Sequence, residues 1–467
     1  MSNSRSPFVA LPLELIELIF DNISDPLDFC NASSTCKTLH PGSSRLMKEH
    51  IVLAEKYQTL YFSTTEDGGT NVWAVLAELL KDWRIRYHIR EVVFGEARLL
   101  HYDSLIAGDC STLGNAINDM KQMDGFESLP IDPISLKSGY DDPFNALLVC
   151  QLQNLREITY VNDGHEEDFY RLIKEYDDAS HPPFLTKLRT VNLEHWDTEG
   201  GLSLEWIIIF MRLPSVRTVN GHMIEAAEED EIETKRKSNV TTLNLTYSCI
   251  ELGAFDQLME ITQNLEYFSY EHSGAVVGDA DCDPYGMVAV LLKHAGHSLK
   301  SLKINYGDED DMFEYLTYCS IRDFKKLKVA ELDHLTLVPY QQEIMNDADV
   351  DEPLSQGFYI EPEQRQDPGP SELDLANALP PTIQRLKVNR FPGPDGLPSL
   401  RHLLGKKEQG CFPDLKNISL DTFSFHSTNA VEWDDLQKDF ARVGALDIER
   451  DRNVESGTDV ESSMDVE

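Results

Sequence analysis

The chain has 467 residues, 41% of them hydrophobic and 26% charged, a globular composition with enough apolar material for a large core. Its 81 acidic residues against 41 basic ones give a formal charge of −40, which excludes nucleic acid as a direct ligand, disfavours membrane surfaces and predicts that any charged partner is basic. The eight cysteines, at 30, 36, 110, 150, 249, 282, 319 and 411, are scattered with no CxxC pair and no zinc spacing, the usage of a reduced intracellular protein.

The first element is Leu11-Pro12-Leu13-Glu14-Leu15-Ile16-Glu17-Leu18-Ile19-Phe20. Pro12 suits the opening turn of a helix, where its missing N–H costs nothing, and Glu14 sits where the helix dipole favours an acid. Leu11, Leu15, Leu18, Ile19 and Asn22 follow one stripe and Leu13, Ile16 and Phe20 a second, so this helix needs neighbours on two sides. Asp25-Pro26 starts a second short helix, and Pro41-Gly42 is expected to break the chain before a third, from Ser43 to about Leu53. A trihelix of this size has a small core, and its second apolar face calls for a partner.

Leu11-Pro12, Glu14, Ile19-Phe20, Leu27-Asp28-Phe29, Cys36-Lys37 and Leu39 occur in the order and at the spacing of one family signature. Over residues 8 to about 50 the chain resembles the F-box, with Leu39 where many members carry Trp. The resemblance implies docking onto the Skp adaptor of a cullin-RING ubiquitin ligase. It assigns the adaptor contact to Leu11, Pro12, Glu14, Leu15, Ile19, Leu27, Phe29, Cys36 and Leu39. The alternative is an amphipathic helical cap on the domain that follows.

Beyond it, Tyr57 to Phe62 has the pattern of a first strand, and Val72, Val75, Leu76, Leu79 and Leu80 mark a helix ending near Trp83. Next, Ile89/Val92/Phe94 places apolar residues at positions 1, 4 and 6. The pattern returns at Leu155/Ile158/Tyr160, Leu188/Val191/Leu193, Val240/Leu243/Leu245, Leu265/Phe268/Tyr270, Leu299/Leu302/Ile304, Leu327/Ala330/Leu332, Ile383/Leu386/Val388 and Leu415/Ile418/Leu420. Val216/Val219 begins a further copy in which Gly221 fills the third slot. Copies recur roughly every 24–34 residues, the signature of a solenoid. Helix-like segments lie between them: Glu166–Tyr176, Leu204–Leu213, Leu252–Thr262, Tyr285–Ala295, Met312–Cys319 and Leu397–Leu404.

This alternation resembles the leucine-rich repeat, although the Asn or Cys usual three residues after the third apolar position is absent: those slots hold Asp163, Trp196, Ser248, Ser273, Gly307, Leu335, Phe391 and Phe423. A generic α/β domain of parallel strands is the alternative. The expected fold class is therefore α+β/α/β, an N-terminal three-helix F-box followed by an α/β leucine-rich-repeat-like solenoid or horseshoe. Its divisions are 8–53 for the F-box, 54–150 for a linker region with the first irregular repeats, 151–445 for the repeat domain with an acidic loop insert at 341–378, and 449–467 for a disordered acidic tail.

No catalytic or metal motif survives its spacing. Asp279-x-Asp281-x-Asp283 opens like a calcium loop, but Pro284 stands where Gly is needed and Val290 where Glu is needed. Gly405-Lys406-Lys407 lacks both the upstream Gly and the Ser/Thr of a phosphate loop. Trp206–Met211 falls far short of the ~20 apolar residues of a membrane span, and Glu14 and Glu17 interrupt what would otherwise resemble a signal peptide. The expectation is a cytoplasmic or nuclear protein with no cofactor and no bond chemistry of its own. It would serve as the substrate receptor of a Skp–cullin–F-box ligase, with a scaffold that lacks the ligase role as the alternative. Its target would meet strand residues lying between the apolar ones: Asn192, Glu194, Asn244, Thr246, Ser269, Glu271, Lys303, Asn305, Glu331 and Asp333.

Overall fold

The fold is that of a computed structural model. It describes residues 11–23, 25–35, 37, 39–62, 72–95, 141–162, 168–177, 184–197, 200–227, 236–272, 283–306, 320–337, 374–392, 396–421, 430–442 and 447–451. Cys36, the Met312–Cys319 segment, 341–373 of the acidic insert and the tail beyond 451 lie outside these. The described residues divide into two compact units, one ending at Leu265 and the other made of Glu266–His272 and the described residues beyond 282.

The first unit opens with α1 (Leu13–Asp21), α2 (Pro26–Ser34) and α3 (Leu39–Tyr57). Asp25 caps α2 by accepting a hydrogen bond from the Leu27 amide at 2.7 Å, with Pro26 in the first turn. The expected break at Pro41-Gly42 does not occur, and α3 runs through both residues. Pro41 falls within the first turn, where no intrahelical N–H is required. A Cβ on Gly42 would come within 3.0 Å of the Ile16 side chain, so this glycine lets α1 pack closely on α3. Ile16, Phe20, Phe29, Leu39 and Leu46 form the core of this trihelix.

After α3 come β1 (Thr59–Phe62), α4 (Val72–Lys81), a helical turn (Trp83–Tyr87), β2 (Glu91–Phe94), α5 (Asp142–Gln151), β3 (Glu157–Asn162), α6 (Asp168–Asp177) and β4 (Thr190–His195). The unit continues with β5 (Leu202–Ser203), α7 (Leu204–Met211), β6 (Thr218–His222), β7 (Ile224–Ala226), β8 (Thr242–Ile250) and α8 (Leu252–Ile261). Strands β1, β2, β3, β4, β6 and β8 pair in parallel in that order. Their register aligns two buried columns, Leu60-Val92-Ile158-Val191-Val219-Leu243 and Phe62-Phe94-Tyr160-Leu193-Gly221-Leu245. Each such side chain gives about 1.5–3 kcal/mol on burial, and each repeat is completed only by its neighbours. The helices follow suit: α4, α5, α6 and α7 pack one on the next.

The second, shorter ladder, β5–β7–β8, has no counterpart in the 1-4-6 pattern. Met223 and Tyr247, at φ of 59° and 48°, turn the chain at its margin. Sequence periodicity carries no sign of a left-handed backbone at residues other than glycine.

The second unit contains β9 (Tyr267–His272), α9 (Pro284–Ala295), β10 (Ser301–Asn305), β11 (Val329–Asp333), α10 (His334–Leu337), α11 (Leu375–Ala378), β12 (Arg385–Asn389), α12 (Leu397–Glu408), β13 (Asn417–Asp421), α13 (Ala430–Arg442) and β14 (Asp447–Asp451). These strands also pair in parallel and in order. Two expected boundaries are corrected. Residues 374–378 belong to the packed body, because Asp374 caps α11 and Leu375 is fully buried. Residues 447–451 are a strand paired with β13, so the repeat body extends past 445 and 449. Asp283, the last acid of the calcium-like triplet, accepts from the Gly286 amide at 2.9 Å and caps α9.

Candidate interaction surfaces

On α1 and α2 the apolar side chains exceed what the trihelix buries. Leu13, Leu15, Leu18 and Leu27 are 48%, 46%, 58% and 63% exposed, although Ile16, Phe20 and Phe29 already fill the core. Pro12 and Glu14 are exposed beside them, while Leu11 and Ile19 are half-buried. Phe29 and Leu39, both expected at an adaptor contact, are buried in the trihelix itself and hold its helices together. Leu13 and Leu18, which the sequence reading placed on apolar stripes without assigning them to the contact, belong to the exposed set.

The trihelix is tied to the first repeats by polar contacts. His50 on α3 and His88 after the helical turn share a buried hydrogen bond of 2.9 Å between Nδ1 and Nε2. The Phe29 ring lies against His50. Burial lowers the pKa of both histidines, and that of His88 falls to about 4. Arg84 bridges Glu49 at 2.9 Å and Asp82 at 2.8 Å, and the hydrogen bond from Arg84 is the main reason that Glu49 and Asp82 stay below their usual values. Tyr57 donates to Glu78 on α4.

On the sheet of the first unit, residues between the buried columns form the opposite face. Asn192, Asn220 and Asn244 stand in register on β4, β6 and β8. Asn244 donates to the Asn220 amide oxygen at 2.7 Å and Asn220 to that of Asn192 at 2.6 Å. Asn192 in turn donates to Glu157 and Thr159. Asn192 and Asn244 are therefore rungs of one amide ladder, and Asn220, absent from the sequence-based set, joins them. The signal was present: all three fill the slot between the second and third apolar positions. Glu194, His222 and Thr246 form the next row, where His222 Nδ1 lies 3.0 Å from the Thr246 hydroxyl. Ser248, in one of the slots lacking Asn or Cys, accepts from the Ile224 amide at 3.1 Å and does part of that residue's work.

In the second unit Ser269, Lys303 and Glu331 share a row, with Glu331 held between Lys303 at 2.9 Å and Lys387 at 3.1 Å. Glu271 and Asn305 are paired in register beside them. Asp333 departs from expectation: it is 1% exposed, so it offers nothing to a target. Burial pushes its carboxyl up to about 6, with Arg390 Nε 3.8 Å away, and burial takes adjacent His334 down to about 4.

A shallow apolar recess of about 130 Å³ lies among Leu76, Leu79, Leu80, Trp83 and Leu147, below the ~300–1,000 Å³ of ordinary small-molecule sites. Among the described residues no group of three or more His, Cys, Asp or Glu is placed to hold a metal ion, and no helix is long and apolar enough to cross a membrane. Cys150 and Cys249 are buried thiols, while Cys30 and Cys411 are exposed.

Residues 162–359 match a family model described as a leucine-rich repeat domain, in agreement with the parallel strand-and-helix repeats. Such a domain points to a role in binding other proteins. No curated protein matches the chain.

Proposed function

We propose that the chain is the substrate-recognition subunit of a Skp–cullin–F-box ubiquitin ligase, acting in the cytoplasm or nucleus. Residues 11–39 dock the Skp adaptor and the repeats hold a target protein. The chain supplies no catalytic residue and no cofactor; a ubiquitin-loaded enzyme brought by the cullin-RING assembly meets target lysines at raised effective concentration. The observation that carries the reading is the set of exposed leucines, 13, 15, 18 and 27, on a trihelix whose own core is already filled. Burying the exposed half of four such side chains gives a gross ~3–6 kcal/mol, a substantial share of what a complex needs to offset association costs.

The test is capture of recombinant adaptor by the full chain and by its Leu15→Glu/Leu27→Glu variant. Leu15 is 46% and Leu27 63% exposed, so the variant keeps its fold, which thermal unfolding checks, and loses adaptor binding by about tenfold or more, the worth of their exposed halves. Equal capture by the two proteins refutes the docking. Capture of adaptor without cullin, and without target ubiquitination in a reconstituted assembly, selects the scaffold reading instead.

A further inference from the structure

Each strand of the first unit's sheet is entered through one residue that hydrogen-bonds the equivalent residue of the neighbouring repeat. For β2, β3, β4 and β6 those residues are Arg90, Arg156, Arg189 and Arg217. The Arg156 amide donates to the Arg90 carbonyl at 2.8 Å, Arg189 to Arg156 at 2.8 Å and Arg217 to Arg189 at 2.9 Å. Four arginines thus stand side by side along one edge of the sheet, with β-carbons spaced by the strand separation of ~4.8 Å and a row length of ~14 Å.

Arg156, Arg189 and Arg217 are exposed and Arg90 is half-buried. Among the described residues no carboxylate lies within ion-pair distance of any of the four. Arg90 donates to the Asn154 carbonyl and Arg217 to the carbonyls of Pro214 and Val216. Burial first and then the charge of Arg156 keep Arg90 below its ordinary pKa, against the smaller opposing effect of Asp25. In a chain with twice as many acids as bases, four aligned cations with no carboxylate partner among the described residues run against the available supply. The second unit shows the contrast: its corresponding positions hold Glu266, Lys300, Lys328, Gln384 and Lys416, a mixed row in which Lys300 is paired with Glu266 at 2.6 Å.

We propose that the arginine row is a docking strip for an extended acidic or phosphorylated segment of a partner protein. In extended chain, side chains on one face recur every ~6.8 Å, so acids at alternate positions across five residues span ~14 Å, the length of the row. Each guanidinium can grip a carboxylate or phosphate with two parallel N–H donors. A long nucleic acid fits less well, because beyond the row it meets the field of a −40 chain. The partner chemistry is opposite to the one the net charge predicts, since local geometry outweighs the average over the molecule. The strip does not depend on adaptor docking, and the leucine variant above tests that separately.

The experiment uses the full chain and fluorescence anisotropy at about 50 mM salt, where exposed charges are weakly screened. The probes are a peptide with Glu at three alternate positions, its phosphoserine analogue, a Gln analogue and an oligothymidylate of matching length. The phosphoserine peptide is expected to bind best, the Glu peptide more weakly and the Gln peptide not at all. Arg156→Gln/Arg189→Gln/Arg217→Gln should weaken phosphopeptide binding about tenfold or more, and the matching Lys triple by less. Arg322→Gln/Lys325→Gln/Lys326→Gln, which removes equal charge from the second unit, should leave binding unchanged. Unfolding curves for each variant separate lost binding from lost fold. Absence of wild-type binding to both acidic peptides, equal weakening by the second-unit variant, or tighter binding of the oligonucleotide than of the phosphopeptide each overturns the proposal.

Discussion

Two buried titratable groups in the first unit work against each other as pH changes. His88 titrates at about 4 in the folded chain because burial, and then His50, disfavour its charged form. Its folded pKa lies below the unfolded value, so its contribution to stability is complete above about pH 6.5 and is lost as pH falls toward 4, roughly 2 kcal/mol between pH 7.5 and 5. Asp142 accepts from the Asp168 and Phe169 amides at the start of α6, yet burial raises its carboxyl to about 7. Its folded pKa lies above the unfolded one, so stability is greatest when it is protonated and declines as pH rises, by a comparable roughly 2–3 kcal/mol between pH 5 and 7.5. Between pH 5 and 7 these two slopes oppose each other. Asp142→Asn keeps the accepting oxygen and removes the charge, so stability should rise steeply with pH between 5 and 7. His88→Gln removes one of the histidine slopes that oppose the carboxyl slope, so stability should rise less, or fall more, with pH over the same range than in the wild type. Urea midpoints at pH 5, 6 and 7 read both; a His88→Gln profile parallel to wild type would show that the imidazole is not buried as described.

At the scale of the element, Gly221 is the informative position. It occupies the third apolar slot of β6, in register with Leu193 and Leu245, where the repeat pattern calls for a large side chain. A Cβ there would lie 2.6 Å from Ile224 Cγ1, 2.9 Å from Leu245 Cδ2 and 3.1 Å from Ile207 Cδ1. Ile207 of α7 and Ile224 of β7 have taken the missing volume. Restoring the pattern with Gly221→Leu should therefore destabilise the first unit by about 1–3 kcal/mol through overpacking, read as a lowered urea midpoint with unchanged slope. The repeats were legible because period and spacing are properties of local sequence, and the buried columns coincide with the 1-4-6 positions from Ile89 to Leu420. The β5–β7–β8 ladder was not legible, because it depends on turns at Met223 and Tyr247 that no hydrophobic period encodes. Nor was the burial of Phe29 and Leu39, since alternation of apolar residues on a helix does not say which face a neighbour will cover. Asp333 was misjudged for the same kind of reason: its place on β11 suggested an open face, but it is 1% exposed, with Arg390 3.8 Å away.

For the whole molecule, the question is whether the N-terminal helices are a detachable handle or part of the body. A row of contacts from Phe20 through Phe29 and His50 to His88 carries the trihelix core into the first repeats, and Arg84–Glu49 and Tyr57–Glu78 flank it. Stability in a repeat array is a sum over neighbouring interfaces, and a terminal cap contributes one of them. Deleting residues 1–50 therefore does more than remove an adaptor contact: it leaves His88 without its hydrogen-bond partner and Arg84 without Glu49, beside buried Ile85 and Ile89. Such a truncation should lower the melting temperature by several degrees, the effect of losing a few kcal/mol from a domain of this size. The Leu15→Glu/Leu27→Glu variant alters exposed side chains alone and should melt within about 1 °C of wild type. Differential scanning calorimetry of the three proteins decides between the two pictures. A truncated chain that melts with the wild type would make the trihelix an independent appendage. A marked drop would mean that target accumulation after truncation reports damage to the repeats as well as lost docking, leaving the leucine variant as the clean probe of adaptor binding.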